Sequence, residues 1–437
     1  MSTDDGASEA YDAIVVGAGP AGISAAITMA RAGLKVVVLE RGEYPGAKNV
    51  QGAVLYSRML HEIVPNFWKE PDAPVERPVV EQRMCITTDD SWITVGYKSL
   101  KFLEGVPNCY TIIRVKFDQW YAKKAEEAGA EVFCGVTVRE VLKKDGRVVG
   151  IKTSDGDELH AKVVIACDGV NSLVAQKAGF IDELKPSEVA LGAKEVIALD
   201  PKTIEDRFAL SPGEGATMEM FGSITLGMLG YVFIYTNKDS IALGVGCKLT
   251  DYQRTGLRPS DHLEIVKKHP FIKKLIEGGK TWEYSSHLIP EGGYKSMPPL
   301  AADGFLVAGD AAQMTNPAFR EGSNLAMTSG KLAGETVVEA KIKGDFSKAA
   351  LSAYVDKLKA SYVLKDMEEV KDLEAHIEGS RGFLDFYPKL ACELAHLRFS
   401  ADGVPKREHL RTALGMVRKR GLIRIARDLF PLRKVAL

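Results

Sequence analysis

The chain has 437 residues, a length that predicts two to four domains at roughly 100–200 residues each. Its 46% of hydrophobic and 26% of charged residues exclude an intrinsically disordered chain, a collagen and a small disulfide scaffold. Because 57 Lys and Arg balance 58 Asp and Glu, no global field recruits nucleic acid or an acidic substrate.

A strand, a glycine-rich turn, a helix and a second strand follow one another near the N-terminus. In the turn Gly17–Gly22, Gly17 permits the tight turn, Gly19 lets the backbone approach a pyrophosphate, and Gly22 lets the helix pack on the strand. The helix N-terminus faces the phosphates with its positive end. Glu40 closes the second strand, where its carboxylate suits the ribose hydroxyls and argues against NADP. The pattern predicts a dinucleotide site.

Three later motifs favour FAD over NAD. Arg114 follows a strand, and two interpretations stay open for it: a cation that reaches the cofactor phosphates, or a surface salt bridge. Asp168 and Gly169 follow a buried strand, and Gly309 and Asp310 follow another. The Asp310 carboxylate can accept a ribityl hydroxyl proton, and a helix follows it. The order of these elements is specific for FAD.

Four segments carry a family resemblance: Glu40–Gly52, Tyr110–Arg114, Glu291–Tyr294 and Asn316–Asn324. With them, residues 11–345 resemble the FAD-dependent superfamily of aromatic hydroxylases, geranylgeranyl reductases and electron transfer flavoprotein:quinone oxidoreductases. Within it the sequence resembles the FixC type, flavoproteins partnered with electron transfer flavoprotein subunits. The resemblance implies that Lys48–Gly52 pass near the flavin ring. It places Gly322 and Asn324 at the pyrimidine end, and a backbone contact to adenine at Val138.

Motifs and resemblance together predict one set of FAD-binding residues and no catalytic side chain. The set consists of Gly17, Gly19, Pro20, Ala21, Gly22, Glu40, Arg41, Asn49, Val50, Gln51, Gly52, Arg114, Val138, Asp168, Gly169, Gly309, Asp310, Gly322, Ser323 and Asn324.

The fold class that we predict is α/β and α+β, with a Rossmann-like FAD-binding domain interleaved with a β-rich quinone or substrate domain. The FAD-binding domain is predicted at 11–185 and 286–345, and includes an inserted β-meander that turns at Asp145-Gly146. The β-rich domain is predicted at 53–110 and 186–285. A helical C-terminal region with a basic tail takes 346–437.

The sequence contains no Cys-x-x-Cys, HExxH, GxSxG or P-loop motif, and its eight histidines show no metal-ligand spacing, so we predict no metal site. The six scattered cysteines favour free thiols in a reducing, cytoplasmic location. An iron–sulfur cluster needs grouped thiolates, which the chain lacks. Single-chain quinone oxidoreductases append a cysteine-rich module, whereas FixC-type proteins use a separate ferredoxin-like subunit. The resemblance therefore implies such a partner.

The region from Met218 to Val245 resembles the quinone pocket of the quinone oxidoreductases. An apolar quinone needs an apolar entry that faces lipid, but ordinary core strands explain the same residues. Its uncharged segment Met220–Asn237 contains Gly230, and two strands fit it better than one spanning helix.

The C-terminal residues 405–437 contain ten Lys and Arg against two Asp and Glu, a net charge of +8. Apolar residues recur there with helical spacing, at Leu410, Leu414, Val417, Leu422, Ile425 and Leu429. Three interpretations stay open: a solvated helix packed on its own domain, a helix on anionic lipid, and a helix on an acidic partner.

Three functional hypotheses result. The preferred one is a FixC-type FAD subunit, peripheral on the inner face of the cell membrane. It would take electrons from electron transfer flavoprotein subunits of alpha and beta type, through a ferredoxin-like subunit, and reduce membrane quinone. Such assemblies can bifurcate electrons from NADH with a flavin held in another subunit. The alternatives are a stand-alone reductase or hydroxylase of isoprenoid or aromatic substrates, and an FAD-bearing scaffold without turnover.

Overall fold

The computed structural model describes residues 11–48 and 54–434. Seventeen strands lie within this part of the chain. They are β1 Tyr11–Val16, β2 Val36–Glu40, β3 Val54–Tyr56, β4 Val75–Thr87, β5 Trp92–Lys98, β6 Cys109–Ile112, β7 Glu131–Cys134, β8 Val138–Lys144, β9 Arg147–Thr153, β10 Glu158–Ala166, β11 Val189–Ala198, β12 Gly215–Gly222, β13 Gly230–Thr236, β14 Ser240–Lys248, β15 Lys280–Pro290, β16 Ala301–Ala302 and β17 Phe305–Val307.

The same part of the chain forms sixteen α-helices, and those after residue 346 make a helical C-terminal region. They are α1 Pro20–Arg31, α2 Ser57–Ile63, α3 Arg114–Glu127, α4 Leu173–Lys177, α5 Pro201–Phe208, α6 Leu249–Thr255, α7 Pro259–Lys268, α8 Pro270–Ile276, α9 Ser323–Lys343, α10 Lys348–Leu351, α11 Ala353–Ala360, α12 Tyr362–Glu369, α13 Leu373–Gly379, α14 Phe386–Phe399, α15 Lys406–Arg420 and α16 Leu422–Leu429. None of these helices is both long enough and apolar enough to cross a membrane.

The chain divides into two compact units, each assembled from three separated segments. Unit 1 comprises Met1–Val75, Ile112–Glu188 and Leu288–Glu368. Unit 2 comprises Glu76–Thr111, Val189–His287 and Glu369–Leu437. The domain boundaries given above stay predictions.

Unit 1 is built on a mostly parallel sheet with the order β16-β17-β10-β1-β2-β7. The strand β1 lies between β10 and β2, parallel to both. Its apolar residues Ala13–Val16 are buried, as expected for a strand covered on both faces. Since parallel strands end at the same edge of a sheet, the loops after β1, β2, β10 and β17 meet there. The strands β8 and β9 form part of the predicted β-meander. The turn that connects them has positive φ at both Asp145 and Gly146.

The helix α1 packs against α9 with direct backbone contact. A Cβ added at Gly330 of α9 would lie 1.9 Å from the carbonyl oxygen of Ala21 in α1. No side chain fits at that distance, so glycine is required for the two helices to approach. The contact fixes the start of α1, which carries part of the predicted cofactor site.

Unit 2 contains a second, largely antiparallel sheet in which β15-β11-β14-β13-β12-β4-β6 are neighbours in this order. Alternate residues such as Val232 and Ile234 of β13 enter a buried apolar core with residues of α5, α7 and α8. The uncharged segment Met220–Asn237 is not a helix: β12 ends within it, and β13 begins at Gly230. The mixed α/β fold with a helical C-terminal region is confirmed.

Candidate cofactor-binding site

The glycine-rich turn between β1 and α1 has the shape that its spacing predicts. Gly17 has φ +104°, and a Cβ there would lie 2.3 Å from the carbonyl oxygen of Cys167. A Cβ on Gly22 would lie 2.0 Å from the carbonyl oxygen of Gly17. At Gly19, by contrast, a Cβ would meet no described atom within 4 Å. Gly17 and Gly22 are therefore required for close packing. Gly19 instead leaves open the side on which a phosphate can approach the helix N-terminus.

The Glu40 carboxylate closes this turn from the end of β2. Its Oε2 accepts a hydrogen bond from the backbone N–H of Ala18 at 2.9 Å, and its Oε1 accepts one from Gly42 at 2.7 Å. Each carboxylate oxygen has a further lone pair for a hydroxyl donor. Glu40 thus orders two backbone turns and keeps the capacity to accept ribose hydroxyls.

The segment before β8 and the loop after β10 adjoin this turn. The N–H of Val136 donates to the carbonyl of Glu40 at 2.8 Å, two residues before Val138 begins β8. In the loop after β10, Asp168 Oδ2 accepts from the N–H of Val174 at 2.9 Å. Burial raises the pKa of Asp168 to about 6, and that N–H and the Arg41 guanidinium oppose the rise.

The guanidinium of Arg114 forms a buried ion pair. Arg114 is the first residue of α3, since β6 ends at Ile112. Its Nε and one terminal nitrogen donate to the two carboxylate oxygens of Asp118 at 2.8 and 2.9 Å. Burial raises the pKa of Asp118, which Arg114 opposes and Glu40 reinforces. Burial also raises the pKa of Asp310 to about 6, again opposed by Arg114. Arg114 is thus a buried cation paired with Asp118.

From the end of β17 to the first turn of α9 the chain carries buried polar atoms that lack hydrogen-bond partners within the described residues. They are Gln313 Oε1, Asn316 Oδ1 and Nδ2, and Asn324 Oδ1. Gln313, Asn316 and Asn324 are 6%, 1% and 3% exposed, respectively. Burying polar atoms without partners is costly, so this pattern indicates a site built for a polar ligand. Gly322 precedes α9, and Ser323 begins it.

These groups all belong to unit 1. A Cβ on Gly309 would lie 2.8 Å from the Cβ of Ala21, which joins the end of β17 to the start of α1. Asp168 Oδ1 is also buried without a partner in the described part of the chain. An open helix N-terminus, a strand-end acid and several buried, unpaired polar atoms fit the pyrophosphate, ribose and flavin of FAD. Bound there, FAD supplies hydride and single-electron chemistry.

The residues expected to hold FAD are therefore Gly19 and Glu40 at the adenosine and pyrophosphate half, and Asp310 and Asn324 at the ribityl and flavin half. The predicted contacts Asn49, Val50, Gln51 and Gly52 lie outside the described residues.

Sequence reasoning missed Asp118, Gln313, Asn316 and Gly330. The i, i+4 spacing of Arg114 and Asp118 on a helix was a visible signal for the ion pair. Asn316 lies in one of the segments that carry the family resemblance. Gln313 has φ +59°, a conformation that no local pattern around it indicated. Within residues 11–48 and 54–434, no cluster of histidine, cysteine or carboxylate side chains could hold a metal ion.

Comparison with protein-family models assigns both ends of the chain. Residues 12–181 match an FAD dependent oxidoreductase model, and residues 102–268 match a second model of that description. Residues 373–437 match the ETF-QO/FixC family C-terminal domain. The flavoprotein half and the helical tail therefore have independent matches.

Curated relatives match over nearly the whole chain. Protein FixC of Azorhizobium caulinodans is 48% identical over 428 residues, which are 97% of this chain and 98% of that protein. The probable electron transfer flavoprotein-quinone oxidoreductase YdiS of Escherichia coli is 40% identical, over 96% and 97% of the two chains. A geranylgeranyl bacteriochlorophyll reductase-like structure from Thermoplasma acidophilum has the same fold, with TM-score 0.74, 22% identity and coverage of 98% and 99%. The chain belongs to the ETF-QO/FixC family of FAD-dependent oxidoreductases.

Proposed function

We propose that this chain is the FAD subunit of an electron transfer flavoprotein-linked quinone reductase. Electrons would come from an electron transfer flavoprotein with alpha- and beta-type subunits, pass through a ferredoxin-like subunit, and leave to a membrane quinone. The chain would act in the cytoplasm, peripheral on the inner face of the cell membrane. If the assembly bifurcates electrons from NADH, the bifurcating flavin lies in another subunit.

The observation that carries the proposal is the match to FixC over 98% of that protein's length. Of the six cysteines, only Cys392 falls in residues 373–437, the part that matches the ETF-QO/FixC C-terminal domain. A cluster needs several thiolate ligands. The proposal therefore places any iron–sulfur cluster on a separate subunit.

An aromatic row on the sheet of unit 2 supports the proposal of a planar, apolar electron acceptor. On the face of β13 opposite the apolar core, Tyr231, Phe233 and Tyr235 form an aromatic row, with 4.9 Å between the ring centroids of Phe233 and Tyr235. The Phe233 ring lies over Gly244, where an added Cβ would be 2.0 Å from it. Aromatic faces stack well on planar rings. This row lies within the region 218–245 that resembles a quinone pocket.

The test uses the purified, FAD-loaded full chain. After anaerobic photoreduction, a short-chain quinone is added and the flavin absorbance is followed, with and without electron transfer flavoprotein. The proposal expects fast reoxidation by quinone and slow reduction by NADH or NADPH alone. Direct oxidation of NAD(P)H coupled to reduction of an isoprenoid would support the stand-alone reductase instead. Tight FAD binding without quinone-dependent reoxidation would leave only the hypothesis of an FAD-bearing scaffold.

A pair of variants tests the acceptor site separately from the cofactor. Phe233→Leu removes a stacking ring and should slow quinone-dependent reoxidation roughly tenfold, the upper part of the range for an aromatic pair. Trp282→Leu, on the exposed side of β15 in the same sheet, is the matched control and should leave the rate unchanged. Equal effects of the two changes, or none in Phe233→Leu, would contradict a quinone site on this face. The FAD content of both proteins is measured first.

A further inference from the structure

The helix α15 turns its basic and leucine side chains away from unit 2. Its inner side is the buried His409, with Ala413, Met416 and Arg420 half-buried along the same face. On the other side Leu410 and Leu414 are 58% and 46% exposed. Arg407, Arg411 and Arg418 are exposed at positions that flank these leucines on the helix. Leu410 and Leu414 of the apolar stripe therefore lie outside the surface through which this helix packs, whereas Val417 of the stripe is half-buried.

The inner side is fixed by a polar cluster around Asp428 of α16. Asp428 is 1% exposed, and its carboxylate accepts from the Tyr387 hydroxyl at 2.8 Å and from Arg420 at 3.2 Å. The His376 ring donates from Nε2 to the Asp428 carbonyl at 2.8 Å. The Arg420 guanidinium lies 4.8 Å from the ring centroid of Phe386. These contacts hold both helices to the rest of unit 2, so the outward orientation of the stripe is built in.

The helix α16 also exposes large apolar side chains. Leu422, Ile423 and Phe430 are 63%, 87% and 65% exposed, and Arg424 and Arg427 are exposed between them. Exposing several large apolar side chains next to one another costs solubility, and soluble proteins rarely do so without an interaction partner.

The exposed charge on these two helices is almost entirely positive. Residues 405–437 contain two acids: Asp428 is buried against Arg420, which leaves the exposed Glu408 in the first turn of α15. An acidic surface is thus the complementary partner. Aliphatic side chains interleaved with arginines are the composition of a helix that lies in a lipid interface.

We propose that the outer face of α15 and α16 binds the surface of an anionic lipid bilayer, with Leu410, Leu414, Leu422, Ile423 and Phe430 entering the headgroup region and the arginines contacting lipid phosphates. The inference rests on the proposed function, since a quinone reductase has to reach a membrane, but its test uses no redox reaction.

The test measures co-sedimentation of the FAD-loaded full chain with vesicles. Vesicles of equimolar phosphatidylcholine and phosphatidylglycerol should bind the protein, and vesicles of phosphatidylcholine alone should bind it much more weakly. The double change Arg411→Gln with Arg418→Gln should lower the partition coefficient roughly thirtyfold, at about fivefold for each basic residue near an anionic surface. Ile423→Ser should lower it roughly tenfold through lost apolar burial.

Matched controls lie on unit 1. Ile342 of α9 is 80% exposed, and Ile342→Ser should leave binding unchanged, as should the pair Lys343→Gln with Lys359→Gln. Thermal unfolding and FAD content verify that each variant is folded.

Absence of binding to the anionic vesicles, or equal binding by the tail variants, would overturn the inference. Unchanged vesicle binding combined with lost binding to a purified acidic subunit would assign the face to a protein partner and overturn it as well. Reoxidation by a soluble short-chain quinone is measured without lipid, so failure of the lipid inference and failure of the proposed function give different results.

Discussion

Replacing Glu40 by alanine tests the adenosine end of the cofactor site. The carboxylate accepts two backbone hydrogen bonds, at 2.9 Å from Ala18 and 2.7 Å from Gly42. Hydrogen bonds to a charged group contribute about 1.5–3 kcal/mol each. Because Glu40 is half-buried, water can partly replace the lost acceptor. We expect the low end for both bonds, a loss of about 3 kcal/mol in the free energy of unfolding of the apoprotein.

The loss of FAD affinity comes in addition to this. A carboxylate that accepts from the ribose contributes about 1.5–3 kcal/mol to binding, which corresponds to a tenfold to hundredfold higher dissociation constant. Titration of the apoprotein, followed by quenching of FAD fluorescence, measures it. Glu40→Gln keeps one acceptor oxygen and should lie between the wild type and Glu40→Ala.

Glu131 provides the matched control. It begins the neighbouring strand β7 and accepts from the Tyr11 hydroxyl at 2.8 Å, so Glu131→Ala removes a carboxylate from the same sheet outside the turn. Its FAD affinity should equal that of the wild type. A Glu40→Ala protein that keeps the wild-type dissociation constant, or a Glu131→Ala protein that loses as much affinity, would refute the ribose assignment.

Three further predictions concern packing, charge and pH. Gly330→Ala should lower the free energy of unfolding by about 2–4 kcal/mol because its Cβ meets backbone; Gly415→Ala, where a Cβ meets nothing, should be neutral or stabilising in the same denaturant titration. Arg114→Met leaves the buried Asp118 carboxylate without its cation and should lower the free energy of unfolding by about 3–5 kcal/mol. Arg58→Met, which removes an exposed ion pair at 3.8 Å, should lower it by under about 1 kcal/mol. Melting temperatures of the two variants compare these effects. FAD affinity should fall as the pH drops through about 6, where Asp310 gains a proton and can no longer accept as a carboxylate, and a titration across that range should be flatter for D310N.

The same carboxyl has an opposite effect on the stability of the apoprotein. Burial raises the pKa of Asp310 from 3.8 to about 6, so the folded state holds more protons than the unfolded state between these values. The contribution to the free energy of unfolding is therefore largest at low pH and is lost as the pH rises through about 6. Thermal unfolding of the apoprotein against pH should show this slope, and D310N should reduce it.

The local elements of unit 1 were predictable because each depends on neighbouring residues. The turn Gly17–Gly22, the strand-end Glu40 and the hairpin turn Asp145-Gly146 all have short-range signals, and the structure forms each of them. The pairing of strands that lie far apart in the sequence has no such signal. That Gly330 contacts Ala21 depends on the approach of two helices, which helix periodicity alone does not specify.

The site residues were predictable where a sequence motif identifies them. They were not predictable where their role depends on burial in the folded chain. Asp168 and Asp310 follow apolar strands, and this pattern is visible in the sequence. The unpaired state of Gln313 and Asn316 depends on which atoms surround them, and composition carries no information about that. Likewise, the helical stripe that includes Leu410 was visible, but its outward direction depends on Arg420 and Asp428, which hold the opposite face.

The contact between α1 and α9 has a consequence for synthesis. The two helices are about 300 residues apart, and at roughly 5–20 residues per second the ribosome needs about 15–60 s to supply α9 after α1 has emerged. During that time the first βαβ segment has an uncovered helix face, and its sheet lacks β10 and β17. Unit 1 cannot close early in translation, and contacts of such long range also slow refolding. We therefore expect chaperones to protect the nascent protein until its last third has left the ribosome.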